Sequence, residues 1–121
     1  MENGLLSIII ITLNRKDEIV KCIETILTQD YENYEIIIID NNSSDGTSEI
    51  IKEKFPKVRL YKTHKNMGTS YTRNAAINFS QGENILFLDS DSYLKDNKTL
   101  SEMVSKLSGE IHALGGESII D

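Results

Sequence analysis

Two short apolar stretches dominate the pattern along this chain. Residues 5–12 (LLSIIIIT) and 34–40 (YEIIIID) each contain four consecutive isoleucines. Both are too short for helices and too uniformly apolar to leave a wet face, which predicts central strands of a parallel sheet. Between them, residues 16–29 place Ile19, Ile23, Ile26 and Leu27 at offsets of four, seven and eight. That spacing predicts an amphipathic crossover helix, with Asn14 placed to cap its first turn. The unit repeats. Residues 47–55 carry Ile51 and Phe55 one turn apart, Pro56 stops the helix, and residues 58–62 form another strand. A third helix is expected over 68–80, a fourth strand over 84–88 (NILFL), a helix over 99–107 and a weak strand over 111–114. Strict β/α alternation predicts an α/β fold, an open, mostly parallel sheet with helices on both faces.

Composition narrows this reading. A chain of 121 residues fits one domain, since compact domains usually run to about 100–150 residues. With 39% hydrophobic residues, seven Gly and one Pro, it can bury a core, which excludes collagen-like, coiled-coil and disordered classes. Thirteen Lys and Arg against nineteen Asp and Glu give a net charge of −6. No basic stripe stands out in that balance, so nucleic acid is not an expected partner. The single Cys22 has no cysteine to pair with, and the start Met1-Glu2-Asn3-Gly4 lacks the basic beginning of a signal peptide, so the expected compartment is a reducing cytoplasm. No apolar run approaches the roughly 20 residues that span a bilayer. Attachment at the inner face of a membrane is left to a longer protein.

In open parallel sheets, ligands bind beyond the carboxyl ends of the strands. Thr12, Leu13 and Asn14 follow the first predicted strand. Asp40-Asn41-Asn42-Ser43-Ser44-Asp45-Gly46 follow the second, and Asp89-Ser90-Asp91 the fourth. A two-residue step in extended chain returns side chains to one side, so Asp89 and Asp91 could share a hard divalent cation while Ser90 points elsewhere. The same triplet also reads as a turn of solvated carboxylates; the apolar strand before it favours the cation. Asp40, closing a strand at this edge, could accept hydrogen bonds from a base or ribose, with Ser44 or Asp45 capping the next helix. Asn66-x-Gly68 predicts a turn, and Arg73-Asn74 puts a cation on the first turns of the third helix, suited to phosphate. His64 and His112 lack partners at metal-ligand spacing, and Cys22 reads as a small packed hydrophobe. Tyr31 and Tyr34 are expected to pack or to sit at a rim.

Four segments taken in order, Ser7 through Arg15, Ile39 through Thr47, Asn66-Met67-Gly68 with Arg73-Asn74, and Leu88-Asp89-Ser90-Asp91, resemble the inverting GT-A glycosyltransferases called family two. The resemblance covers residues 5 to about 95. It implies a Rossmann-like, nucleotide-sugar-binding half. Thr12, Leu13, Asn14, Arg15 and Asp40 would surround base and ribose, and Arg73 would approach base or diphosphate. Asn42, Asn66, Gly68 and Ser90 join the donor contacts, while Asp89 and Asp91 would hold manganese or magnesium. A UDP-sugar is the favoured donor and a glycan or lipid-linked molecule the acceptor. Where the family commonly has Pro-Thr-Tyr-Asn, Ile11 and Leu13 take the proline and tyrosine places, so the aromatic stack on the base is absent.

The resemblance further implies that the acceptor-binding half and its catalytic carboxylate lie beyond Asp121. Residues 1–121 are therefore read as one donor-binding domain of a longer enzyme, able to bind without efficient transfer. An uncovered edge near residues 111–114 and 119–120 would favour self-association. Two rivals are kept: a non-catalytic nucleotide-binding module, and an aspartate-dependent phosphatase using Asp89 as nucleophile and Asp91 as acid. The phosphatase fits less well, because the family it resembles puts that motif on its first strand.

Overall fold

In a computed structural model of the chain, which describes residues 4–106 and the backbone of residues 113 and 114, the two isoleucine runs lie side by side. They form β1 (Leu6–Thr12) and β2 (Tyr34–Asp40), paired in parallel from Leu6 opposite Tyr34 to Thr12 opposite Asp40. Around them come α1 (Lys16–Leu27), α2 (Thr47–Lys54), β3 (Arg59–Lys62), α3 (Thr69–Phe79), β4 (Asn84–Asp89), α4 (Thr99–Ser105) and β5 (Ala113–Leu114). The sheet order is β3-β2-β1-β4-β5, and every pairing is parallel. The expected α/β architecture is therefore present. Of the weak strand expected over 111–114, residues 111 and 112 lie outside the described residues, as do His112 and residues 119–120 of the expected self-association edge.

Strand parity divides the core. Ile8, Ile10, Ile36, Ile38, Leu86 and Leu88 face one side, where they pack with Ile19, Cys22, Ile23 and Ile26 of α1, Ile51 of α2, and Leu100 and Val104 of α4. Ile9, Ile37, Ile39 and Ile85 face the other side with Ala76 of α3. A side chain of this size contributes roughly 1.5–3 kcal/mol when fully buried, so the central strands stabilise the fold only if both faces are covered. Helices on both sides follow.

Element ends depart from the expected boundaries for local reasons. Helix α1 stops at Leu27, not residue 29, because buried Gln29 is drawn onto the start of α4: its Nε2 donates to Asp96 O and its Oε1 accepts the Leu100 N–H at 3.0 Å. Helix α3 starts at Thr69, since Gly68 sits at φ 81°, outside helical space. Asn14 does not cap α1. It adopts φ 52°, and its Oδ1 accepts the Ser44 N–H at 2.8 Å. The first N–H of α1, on Lys16, goes instead to Asp45 Oδ2 at 3.2 Å. Of the two residues expected to cap α2, Asp45 sits one before its N-cap, Gly46, and accepts the Thr47 N–H on Oδ1 at 3.0 Å; one carboxylate thus serves two helix starts.

At the amino end of the strands, Glu35 ties β1, β2, β3 and the chain after α3 together. Its carboxylate accepts from Ser7 Oγ (2.6 Å), Gln81 N–H (2.7 Å) and Arg59 Nη1 (2.8 Å). Burial pushes its pKa up, but these donors outweigh burial and hold it below the ordinary 4.5. A carboxyl whose folded pKa is depressed stabilises fully above its unfolded pKa and ceases to as pH falls through the folded one. Glu35→Gln should therefore cost about 2 kcal/mol at pH 7, with the gap to wild type closing below pH 4.5. Urea unfolding across pH 3–7 measures this, and a gap independent of pH would exclude the charged contact.

Candidate functional site

The carboxyl ends of β1, β2 and β4 lie adjacent, and parity decides what each residue there can do. Thr12, Asp40 and Ser90 continue the α1-side rows of β1, β2 and β4. All three are buried, Asp40 completely. Asp40 accepts the Ser43 N–H on Oδ1 at 2.8 Å and the Ser48 hydroxyl on Oδ2. Its carboxylate thus helps to fold the loop between β2 and α2. Thr12 Oγ1 is buried without a hydrogen-bond partner among the described residues.

The opposite parity carries Asn41 and Asp89. Asn41, not singled out by sequence, is 5% exposed, and its Oδ1 accepts Met67 N–H at 2.8 Å and Thr63 Oγ1 at 3.2 Å. It therefore fastens the loop before α3 to the end of β2. The signal that would have found it is the alternation that puts Asn41, two residues past Ile39, on the α3 side.

Asp89 and Asp91 are exposed, whereas Ser90 and Ser92 between and after them are buried. The turn is closed by the Ser92 N–H on Asp89 O at 3.0 Å and held to α1 by the Leu94 N–H on Thr25 Oγ1 at 3.1 Å. Ser90 therefore turns inward while the two aspartates stay at the surface. Arg15 Nη1 lies 3.8 Å from Asp91 Oδ2 and 3.6 Å from Glu18 Oε2, all about half exposed. Beneath the turn, Cys22 Sγ is 3.8 Å from Asp89 O. Burial first, then the charges of Asp91 and Asp89, push its thiol up to about 12, which makes it an inert packing group as expected.

The loops around the turn are cross-tied. Asn14 N–H donates to Ser43 Oγ at 2.7 Å while Asn14 Oδ1 takes the Ser44 N–H, joining the loop after β1 to that after β2. Asn42 stands exposed at φ 78°, a left-handed conformation that asparagine tolerates. Asn66 Oδ1 accepts the Gly68 N–H at 3.0 Å, the expected turn into α3. Exposed Arg73 has its guanidinium 5.5 Å from the Phe87 ring on β4, two residues before Asp89, and no carboxylate within ion-pair distance among the described residues. Leu13 is an exposed apolar rim.

The donor set fits a hard divalent cation only in part. Among the described residues no group of three or more His, Cys, Asp or Glu could enclose a metal. Asp89 and Asp91 offer oxygen alone, so a cation here would draw the rest of its shell from water and a ligand such as a diphosphate.

Residues 7–116 match the family model described as Glycosyl transferase family 2. The chain is 38% identical over 116 residues to the UDP-Glc:alpha-D-GlcNAc-diphosphoundecaprenol beta-1,3-glucosyltransferase WfaP of Escherichia coli, covering 95% of this chain and 43% of that protein. With the putative teichuronic acid biosynthesis glycosyltransferase TuaG of Bacillus subtilis it shares 34% over 97 residues, 78% of this chain and 38% of that one. S. aureus TarS 1–349 in complex with UDP-GlcNAc superposes with a TM-score of 0.76 at 28% identity, covering 83% of this chain and 30% of that chain. The mannosyltransferase PcManGT from Pyrobaculum calidifontis, in complex with GDP-Man and Mn2+, has the same fold, with a TM-score of 0.80 at 24% identity, over 88% of this chain and 33% of that one. The chain thus spans less than half the length of these relatives.

Asp40→Ala should destabilise the chain by about 2–3 kcal/mol, because the Ser43 N–H and Ser48 hydroxyl lose a buried charged acceptor. Chemical denaturation checks this. A loss below 0.5 kcal/mol, the size of an ordinary surface change, would show that Asp40 does not hold the loop.

Proposed function

This chain belongs to glycosyl transferase family 2, and from that premise we propose that it binds the nucleotide diphosphate sugar for transfer of the sugar to an acceptor hydroxyl. The observation that carries the reading is the pair of exposed aspartates, Asp89 and Asp91, held at the end of β4 by buried serines. They would hold manganese or magnesium, with Asp91 turning from Arg15 to the ion. The metal, when bound, neutralises the departing diphosphate. Arg73, whose charge no described carboxylate takes up, supplies a second cation for diphosphate oxygens. Thr12, Asn14, Arg15, Asn42, Asn66, Gly68 and the Leu13 rim form the surrounding wall, and Asp40 keeps the β2–α2 loop in shape behind it.

A UDP-sugar is the favoured donor, in line with the ligand of the TarS structure and the named donor of WfaP. The WfaP acceptor is lipid-linked by its name, and a lipid-linked acceptor is the reading adopted for this chain. Transfer in one displacement would invert the anomeric centre. The carboxylate that deprotonates the acceptor belongs, in this reading, to the part of the relatives' length that this chain does not span. An aspartyl-phosphate mechanism finds no support, since its motif stands on the fourth strand in a glycosyltransferase-family sheet.

UDP at millimolar concentration with Mn2+ should raise Tm by several degrees, and EDTA should remove the rise. Asp91→Ala should abolish it while Ser90→Ala keeps most of it; no rise in wild type, or equal loss in the two variants, would overturn the donor-site assignment. Titration calorimetry should find that Arg73→Ala weakens UDP at least tenfold and uridine little. Equal weakening would make the arginine base-directed or structural.

A further inference from the structure

The chain-wide acidic balance hides one basic flank. Residues 52–65 (KEKFPKVRLYKTHK) contain six of the thirteen Lys and Arg but only one of the nineteen Asp and Glu, correcting the impression that no basic stripe exists. The segment runs from the last turn of α2, through β3, into the following loop. Strand β3 ends the sheet, so among the described residues nothing pairs with its outer side. Arg59 is neutralised by Glu35, but Lys52, Lys54, Lys57, Lys62 and Lys65 are exposed and make no ion pair among the described residues.

Apolar surface interleaves with these charges. A cavity of about 750 Å3 opens at the amino end of β3, lined in part by Leu27, Phe55, Pro56 and Val58, with Lys54 and Lys57 beside them and Glu32 and the Arg59-paired Glu35 also in its lining. Leu27 is 53% exposed. Lysines alternating with an aromatic and aliphatic groups match a membrane interface, where the ammonium meets anionic headgroups and the apolar groups enter the acyl boundary. The segment's far end leads to Met67, whose N–H bonds Asn41 at the carboxyl edge.

We propose that the β3 flank, Lys54, Lys57, Lys62 and Lys65 with Leu27 and Phe55, docks on an anionic phospholipid surface. The rest of a chain with net charge −6 is repelled from such a surface, so the contact also sets orientation, with the β3 edge of the sheet turned to the bilayer. The inference rests on the lipid-linked-acceptor reading above for its purpose, and on charge and exposure for its existence.

Vesicle co-sedimentation tests it. The 121-residue chain should bind phosphatidylglycerol/phosphatidylcholine vesicles at low salt, ignore pure phosphatidylcholine, and lose most binding at about 500 mM salt, where the Debye length is only a few Å. Lys54→Glu/Lys57→Glu/Lys62→Glu should cut partitioning at least tenfold, whereas Lys21→Glu/Lys95→Glu should change it less than threefold. If the triple variant does not fold, the salt and lipid dependence of the wild type decides. No wild-type binding, equal loss in both variants, or binding to poly-glutamate or an oligonucleotide in place of vesicles would overturn the proposal. A chain that binds UDP with metal but not vesicles sinks this inference alone, and one that binds vesicles but not UDP sinks the donor-site reading alone.

Discussion

An extended strand with isoleucine on both faces cannot meet water on either, and that constraint organises the molecule. Ile8, Ile9, Ile10, Ile37 and Ile38 are completely buried, so β1 and β2 need cover above and below. Helices α1, α2 and α4 supply it on one face and α3 on the other. With both faces and the central edges consumed, polar chemistry is left the strand ends. The two ends are used differently. At the amino end, the Glu35 network spends its polarity on holding strands together; at the carboxyl end, Asp89 and Asp91 stay exposed, Asp91 beside Arg15, and Arg73 has no ion-pair partner among the described residues.

The same alternation sorts the carboxyl-edge residues between the two faces. Side chains on the α1 face enter a packed layer and must find partners inside it, as Asp40 does with Ser43 and Ser48. On the α3 side Asn41 is likewise buried and bonded, whereas Asp89, at the end of β4, is exposed. The loops joining these positions are not independent pieces, since Asn14 clasps the loop after β2, Asp45 starts two helices, and Asn41 holds the loop before α3. A ligand at this edge would meet a preformed wall, with little ordering entropy left to lose.

Much of this was legible in the chain itself. The isoleucine runs, the helical spacing of Ile19, Ile23 and Ile26, and Pro56 after α2 specify elements by local physics, and strict alternation fixes their parallel order. That Asp89 and Asp91 would lie at the end of the fourth strand was legible from the apolar run before them. The bonds that Asp40 accepts from Ser43 and from Ser48, eight residues on, were not legible, because they depend on how the loop into α2 folds back. Asn14 looked like a cap for the same reason: its partner, Ser44, is thirty residues away. Gln29 was taken into α1 although its side chain bonds residues 96 and 100. Local propensity cannot report a contact between distant segments. Nor does a net charge of −6 report where six basic residues cluster.

The strand order has a consequence for biosynthesis. Strand β1 is made first but sits in the middle, with β2 on one side and β4 on the other. A nascent chain that has emerged only as far as residue 83 can pair β1 with β2 and lay α1 across them, yet the other edge of β1 stays open until β4 leaves the ribosome. An open apolar edge invites wrong partners during that interval. Because Asp89 closes the strand that fills this edge, the step that covers β1 on its second side is also the one that brings the exposed Asp89 and Asp91 to the carboxyl edge.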